Sequence, residues 1–568
     1  MTAHSSALAG GVHTGSTAGS EATTPAQFSE AAAPTSPSLG AENAADFFID
    51  RHVREGRGAK SAFTDGARRL SYGDLAERTG KMADLFARHR IHRESRVAMI
   101  MHDTVDFPVV FWGALKAGVV PVPLNTLLSA DYYEFILKDS RARALFVSAA
   151  LFETVKPALA RLTDLDVIFI VDNDEPSEDR VFWRRSDPAE ISEGVYDFKR
   201  ALEPCRSLPI TDASADECAF WLYSSGSTGL PKGVRHVHGS LKGTADTYAS
   251  RVLGIREDDV CFSAAKLFFA YGLGNGMSFP LSVGATAALL PGRPTPDSVF
   301  GVMAQERPTL YFGVPTLYAA MLAAAGDKRP QGTERLRLCV SAGEALPREV
   351  GERWQALTGA DIIDGVGSTE MLHIFLSNAP GNLEYGTSGV AVPGYDLRLV
   401  NETNEDVADG EVGELLVKGP TASEGYWNQR VKSRATFEGM WTRTGDKYER
   451  RPDGRYIYCG RTDDMFKVGG IWVAPFEVEQ ALIAHPAVLE AAVIPAEDED
   501  GLIKPKAYVV LTDRKNDPAL EPELRAHVQT SVGKWKYPRW VIVVDDLPKT
   551  ATGKIQRFKL RALEEGAQ

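Results

Sequence analysis

Basic charge is in short supply in this chain. Lys and Arg together number 63 against 76 Asp and Glu, a formal charge of −13. That balance argues against nucleic acid or an anionic membrane as the main partner. A phosphate-bearing ligand would have to be held by local loops and a few well-placed cations. Cysteine is equally scarce: five residues, Cys205, Cys218, Cys261, Cys339 and Cys459, scattered and odd in number. No pair has metal-ligand spacing, so a disulfide scaffold and a thiolate zinc site are excluded, and reduced thiols in a cytoplasmic protein are expected. Long apolar runs are missing too. The most apolar stretch, residues 109–123, is broken by Lys116, Gly118, Pro121 and Pro123 and is no membrane span. No Lys or Arg precedes Arg51, which removes the basic start of a secretory signal and the arginines of a mitochondrial presequence. Residues 1–43, rich in Ala, Ser, Thr, Gly and Pro, read as a disordered tail.

With 568 residues there is room for a large core and more than one domain. From about Ala44, strand-like runs alternate with helical ones. Arg96-Val-Ala-Met-Ile-Met101 and Ala144-Leu-Phe-Val147 read as buried strands, 106–117 and 130–139 as helices. The alternation continues through Leu336-Arg-Leu-Cys-Val-Ser341, a helix over 347–358, and Asp361-Ile-Ile-Asp364. This is the α/β pattern, with ligand loops expected at strand C-terminal ends. Near Gly460 the texture becomes Gly-rich and charged, as in a connector, and a smaller α+β unit follows. Its helix over 476–485, strands over 488–494 and 507–511, and a helix marked by Leu524, Val528 and Val532 suffice for a small domain. The expected fold is therefore a large α/β domain over 44–461, with mostly parallel doubly wound sheets and a β-rich subdomain. A small α+β lid over 462–568 completes it.

The most informative segment is Tyr223-Ser-Ser-Gly-Ser-Thr-Gly-Leu-Pro-Lys-Gly233. Glycines let the backbone wrap an anion, hydroxyls and amides donate to it, and Lys232 adds a positive charge. The apolar run Ala219-Phe-Trp-Leu-Tyr223 before it reads as a buried strand, so a phosphate loop at a strand end is expected. A P-loop NTPase is excluded, because Pro231 stands where its second glycine belongs and Gly233 follows the lysine. Further motifs fall at strand ends: Ser341-Ala-Gly-Glu-Ala-Leu346, Asp364-Gly-Val-Gly-Ser-Thr-Glu370, Trp441-Thr-Arg-Thr-Gly-Asp446, Gly460-Arg-Thr-Asp-Asp464 and Pro548-Lys-Thr-Ala-Thr-Gly-Lys-Ile-Gln-Arg557.

The order and spacing of this set, with Leu70-Ser-Tyr-Gly-Asp-Leu75 and Leu115-Lys-Ala-Gly-Val-Val-Pro-Val-Pro123, resemble the acyl- and aryl-adenylate-forming superfamily. The resemblance implies two half-reactions. A carboxylate and Mg2+–ATP give an acyl-AMP and pyrophosphate; a thiol, CoA, then displaces AMP. It implies that Ser224, Ser225, Gly226, Ser227, Thr228 and Gly229, with Lys232, hold the phosphates. Glu370 would help hold Mg2+, with Thr369 beside it. Gly343, Glu344, Ala345, Asp364, Gly365 and Val366 would frame the adenine, and Asp446 and Arg461 would bind the ribose. Lys554 would bridge the substrate carboxylate and the α-phosphate, because attack of one anion on another needs a cation between them. Many members carry an aromatic residue where this chain has Val366, so the stack on adenine becomes an aliphatic contact. Asp463 would be the hinge of the lid, and Gly469 and Gly470 would line the pantetheine tunnel.

For the acid, the resemblance places Phe269, Ala270, Tyr271, Gly343, His373, Ile374 and Lys554 around the substrate. Phe, Tyr, Ile and small residues make a flat pocket suited to a planar ring. The strings Lys266-Leu-Phe-Phe-Ala-Tyr-Gly-Leu-Gly-Asn275 and Gly367-Ser-Thr-Glu-Met-Leu-His-Ile374 resemble those of benzoate-CoA ligases. Benzoate is the expected acid. A hydroxybenzoate or aminobenzoate is the rival, since Tyr271 or His373 could bond a ring substituent. Loading of a carrier protein and a homodimer stay open. His236 and His238 imitate a metal pair without a third ligand, and no metal is expected there. Lys534, Lys536 and Arg539 form a basic cluster in the lid, a solvated face or a contact for CoA phosphates.

Overall fold

A computed structural model describes residues 42–172, 194–224, 230–462, 464–468, 471–499, 501–512, 519–533, 536–549 and 555–567. The described chain already packs before the boundary that the composition shift suggested. Asn43, assigned to the tail, is buried, and its amide donates to the carbonyls of Leu115 and Thr211 at 2.9 and 3.0 Å. Glu42 accepts from the Ala215 amide at 2.8 Å. A polar residue just before an apolar helix thus docks the chain's entry rather than ending a tail.

Two sheets organise the large region. The first runs, edge to edge, through Val390–Ala391, Ile374–Ser377, Ile362–Gly367, Leu338–Ala342, Leu310–Gly313, Val260–Ser263, Thr286–Ala288, Ser61–Thr64 and Arg69–Ser71. Its interior pairings are parallel, and antiparallel strands close both edges. The second, all parallel, runs Val120–Pro123, Arg96–Ile100, Ala144–Ser148, Val167–Val171 and Val195–Asp197. Buried on both faces, such strands read as continuous apolar runs, which is why they stood out in the sequence.

The stretch that was too broken for a membrane span is the helix Asp106–Lys116 followed by the strand Val120–Pro123. Every residue of that helix is buried. Lys116 is tolerated because its ammonium meets the Asp50 carboxylate at 2.6 Å; removing either partner would cost about 3–5 kcal/mol. No described helix is long and apolar enough to cross a membrane.

A β-rich unit follows, with Asp396–Val400, Val412–Lys418 and Trp441–Arg450 in antiparallel order and Tyr456–Arg461 paired with the last. Cys459, Gly460 and Arg461, expected in a connector, are the end of that strand. Beyond it, Val488–Glu497, Ile503–Leu511 and Trp540–Val543 form a separate sheet. Pro475–Ile483 and Leu520–Val532 supply Val478, Leu482, Leu524 and Val528 to its own core. None of the five cysteines is in a disulfide.

Candidate active site

The strands on either side of the expected phosphate segment pair with each other. Cys218–Ser224 pairs antiparallel with Lys232–Val237, with Ser224 opposite Lys232. Sequence showed the first strand but not the return. The return distinguishes this loop from a P-loop, in which a helix follows. Ser225, Gly226, Ser227, Thr228 and Gly229 lie outside the described residues, as do Asp463, Gly469, Gly470 and Lys554.

The return strand places Lys232 and His236 four residues apart, hence on one face. Lys232 Nζ lies 3.6 Å from Glu370 Oε1. His236, buried and stacked on Phe220, has Nε2 2.9 Å from the Thr369 carbonyl. A carbonyl only accepts, so Nε2 carries the proton there. Burial holds this imidazole near a pKa of about 3, so it stays neutral. The pair that imitated a metal site is thus structural: His236 fixes the Glu370 loop, and His238 Nδ1 accepts from the Ala44 amide at 3.2 Å.

Residues 368–373 join Ile362–Gly367 to the antiparallel strand Ile374–Ser377. Within this short connection Leu372 has φ +65°. A non-glycine residue there is uncommon and turns the chain sharply between Glu370 and His373. Glu370 reaches Lys232, and its Oε1 also accepts from the Tyr426 hydroxyl at 2.8 Å. His373 goes the other way. Its ring meets Phe279 at 4.5 Å, Tyr248 at 5.4 Å and Tyr271 at 5.7 Å. Gly274 makes this seat possible, for a Cβ there would come within 2.4 Å of the His373 ring. Burial lowers the His373 pKa to about 3. Nε2 lies 3.3 Å from the Tyr271 carbonyl and carries the ring proton, which leaves Nδ1 a buried acceptor with no partner among the described residues.

Phe269, Ala270 and Tyr271 are half-buried, while Leu267, Phe268 and residues 272–281 around them are buried or nearly so. These three are the more exposed residues of the segment that follows Val260–Ser263. The Tyr271 hydroxyl is the deep end of its ring and donates to the carbonyls of Val340 and Gly313 at 3.1 and 3.3 Å. Its proton is spent on backbone, which changes the expectation that it would donate to a ring substituent. Ile374 is buried against Gly365.

Gly343, Glu344 and Ala345 leave the C-terminal end of Leu338–Ala342, and Asp364 lies on the neighbouring parallel strand opposite Ser341. Burial pushes the Asp364 carboxyl well above its ordinary range, and its Oδ1 has no hydrogen-bond partner among the described residues. Val366 is half-buried across from Leu376. Asp446 and Arg461 face each other across antiparallel strands, Nη1 to Oδ1 at 2.9 Å. In the last motif, Arg557 binds Glu479 at 2.6 Å and Asp464 at 3.1 Å, and Arg561 binds Asp464 at 3.0 Å. Asp464, next to the expected hinge, thus holds the helix that follows the Lys554 segment.

Sequence reasoning gathered the loop residues but missed Tyr426, Asp464 and the role of His236. Tyr426 stands in Gly425–Tyr426, a two-residue strand on the hairpin, with no glycine-rich signature to mark it.

Lys232 paired with Glu370 and the aromatic rings around His373 stand in a chain whose class is that of the adenylate-forming ligases. The chain belongs to the AMP-binding enzyme family, which it matches over residues 49–427, with the family's C-terminal domain over 477–554. It is 54% identical over 526 residues to a 4-hydroxybenzoate–CoA/benzoate–CoA ligase of Rhodopseudomonas palustris, covering 92% of this chain and 94% of that protein. It is 51% identical to a benzoate–CoA ligase of Thauera aromatica, covering 92% and 96%. Among solved structures, a benzoate CoA ligase from Burkholderia xenovorans superposes with TM-score 0.81 at 48% identity, covering 92% of this chain and 99% of that one. An anthranilate CoA ligase in complex with anthranoyl-AMP gives 0.86 at 38%, covering 92% and 98%.

Proposed function

We propose that this protein is an AMP-forming aryl-CoA ligase that converts benzoate, ATP and CoA to benzoyl-CoA, AMP and pyrophosphate. The observation that carries the reading is the division of one short connection between Glu370, held among charged and hydroxyl groups, and His373, a neutral ring among aromatic ones. A reacting carboxylate and an apolar ring need these two environments side by side.

In the first half-reaction a benzoate oxygen attacks the α-phosphorus of ATP, the bond to the β-phosphate oxygen breaks, and pyrophosphate leaves. The benzoate is already ionised, so no general base is required. Lys554 lies between carboxylate and α-phosphate, and the segment from Ser224 to Gly229, with Lys232, holds the β- and γ-phosphates. Asp364 offers an unmet acceptor suited to the adenine amino group, and Asp446 and Arg461 take the ribose hydroxyls. A Mg2+ ion arriving with ATP fits a single carboxylate, Glu370, because this ion takes its remaining ligands from phosphates and water. When bound, it neutralises charge on the phosphate oxygens.

In the second half-reaction the CoA sulfur attacks the benzoyl carbonyl, the carbon–oxygen bond to AMP breaks, and the thiol proton is lost. The lid, residues 462–568, turns about Asp463, withdrawing Lys554 and bringing Gly469 and Gly470 to the thiol channel. The hydroxybenzoate reading has one supporting feature, the buried Nδ1 acceptor of His373, which a ring hydroxyl could satisfy.

The test is AMP release with benzoate, its hydroxy and amino derivatives, and medium-chain acids, with CoA or a carrier protein as acceptor. The highest kcat/KM is expected for benzoate with CoA. Preference for an alkyl acid would overturn the assignment of the acid, and preference for a carrier protein that of the acceptor.

A further inference from the structure

Tyr426 meets both charged groups of the proposed phosphate site. Its hydroxyl donates to Glu370 Oε1 at 2.8 Å, and Lys232 Nζ lies 4.2 Å above its ring centroid. The two charges are 3.6 Å apart, short of close hydrogen-bonded contact. We infer that Tyr426 is a positioning residue that holds Glu370 apart from Lys232, so that both groups are available when the metal–nucleotide arrives. The inference rests on the reading of Glu370 as the carboxylate that meets that complex.

The placement of Tyr426 is fixed from several sides. Its backbone pairs with Val234 of the hairpin, and its amide donates to Ser433 Oγ at 3.0 Å. The next residue, Trp427, points to the opposite face. There its ring lies 4.8 Å from Trp221 and its indole donates to the Asp139 carbonyl at 2.9 Å. The Trp427 amide donates to the Gly233 carbonyl at 2.8 Å. Trp427, in the turn that directly follows the strand, is held on Trp221 and Asp139, and that anchor helps to orient Tyr426. The Tyr426 ring packs on Phe437 at 5.4 Å, and Thr436 Oγ1 is 3.4 Å from the hydroxyl.

Without that donor, Glu370 and Lys232 are free to tighten their 3.6 Å ion pair into a directly hydrogen-bonded one. Incoming phosphates and their metal would then have to break the pair before either group could serve them. The effect belongs to binding: a weaker grip on the metal–nucleotide, recovered at high concentration, with the later thioester step untouched. The ring does a second job. A cation over an aromatic face is held weakly, so phosphates displace Lys232 at little cost.

Tyr426→Phe keeps the ring and its packing and removes only the hydroxyl. Mn2+ is titrated by electron paramagnetic resonance into the enzyme with the α,β-methylene analogue of ATP. Loss of one hydrogen bond to a charged group should weaken Mn2+ binding about tenfold. The Mg2+ concentration for half-maximal benzoate-dependent ATP–pyrophosphate exchange should rise in parallel. Saturating Mg2+ should restore the maximal rate to within about twofold, and thioester formation from supplied benzoyl-AMP should be unchanged. Unchanged metal affinity, or equal loss in both half-reactions, would overturn the inference. Glu370→Gln separates the two claims. If it leaves Mn2+ affinity untouched, the site reading fails. If it weakens the metal while Tyr426→Phe does not, only the role of Tyr426 falls.

Discussion

Glu370 and His373 stand three residues apart in one connection and occupy opposite electrostatic surroundings. Around Glu370 the partners are side chains: the Lys232 ammonium and the Tyr426 hydroxyl. Around His373 they are rings and one backbone carbonyl, and the imidazole is kept neutral by burial. The positive φ of Leu372 lets so short a span turn from one to the other. The phosphate side holds charge in place before reaction, where preorganised electrostatics act. The acid side excludes charge and recognises shape, where a misfit is felt as lost packing.

The largest effect expected on the charged side belongs to Lys554. Lys554→Ala should lower benzoate-dependent pyrophosphate exchange roughly a hundredfold or more, the usual scale for losing one charge-stabilising group. Thioester formation from supplied benzoyl-AMP should be retained. Equal loss in both steps, measured by single-turnover kinetics, would remove the division of labour between the half-reactions.

On the apolar side, His373→Ala should act through shape. Deleting a buried ring leaves a cavity and costs roughly 2 kcal/mol of acid binding, tens of fold in the benzoate KM. The KM for ATP should stay put. A parallel rise in both constants would mean that the connection as a whole had moved and that its two ends are not independent.

A smaller, graded test uses pH. Burial holds His236 and His373 near a pKa of about 3, and His52 and His238 near about 4, against an ordinary 6.5. Unfolded, these imidazoles take up protons below about 6.5, while folded they stay neutral until 3 to 4. Stability should therefore be full above about 6.5 and decline as pH falls through that window. Each group contributes at most about 1.4 kcal/mol per pH unit. Asp103, raised to about 6 by burial, and Asp364, raised well above its ordinary range, work the other way and offset part of the loss. The thermal midpoint measured from pH 8 to 5 should fall on the acid side. A flat profile, or imidazole NMR shifts that titrate near 6.5, would contradict the buried neutral state.

The candidate loops stood out in the sequence because they carry signatures that backbone chemistry demands. Glycine, hydroxyl and lysine mark a phosphate loop, and apolar runs mark the parallel strands that end beside it. Pairings distant in sequence were illegible. Nothing local marks Tyr426 as a partner of Glu370, or Asp464 as a partner of Arg557 and Arg561; register between far-apart strands and helices creates those contacts. His236 and His238 only look like a pair in the sequence, for one lies on the strand Lys232–Val237 and the other opens the helix His238–Thr244. The tail boundary misplaced Asn43 because one buried amide hardly alters local composition.

The smallest expected effect bears on the boundary between the two sides. The Tyr271 hydroxyl is spent on the carbonyls of Val340 and Gly313, so it braces the backbone rather than reading the ring of the acid. Tyr271→Phe should then raise the benzoate KM by only about threefold, the scale of one neutral hydrogen bond, with kcat and the ATP KM nearly unchanged. Benzoate and 4-hydroxybenzoate should lose in the same proportion, because neither acid is held by that proton. A selective loss for the hydroxylated acid would place the phenol in contact with the ring substituent. Polar recognition would then extend into the apolar side of the site, with Tyr271 joining the Nδ1 acceptor of His373 there.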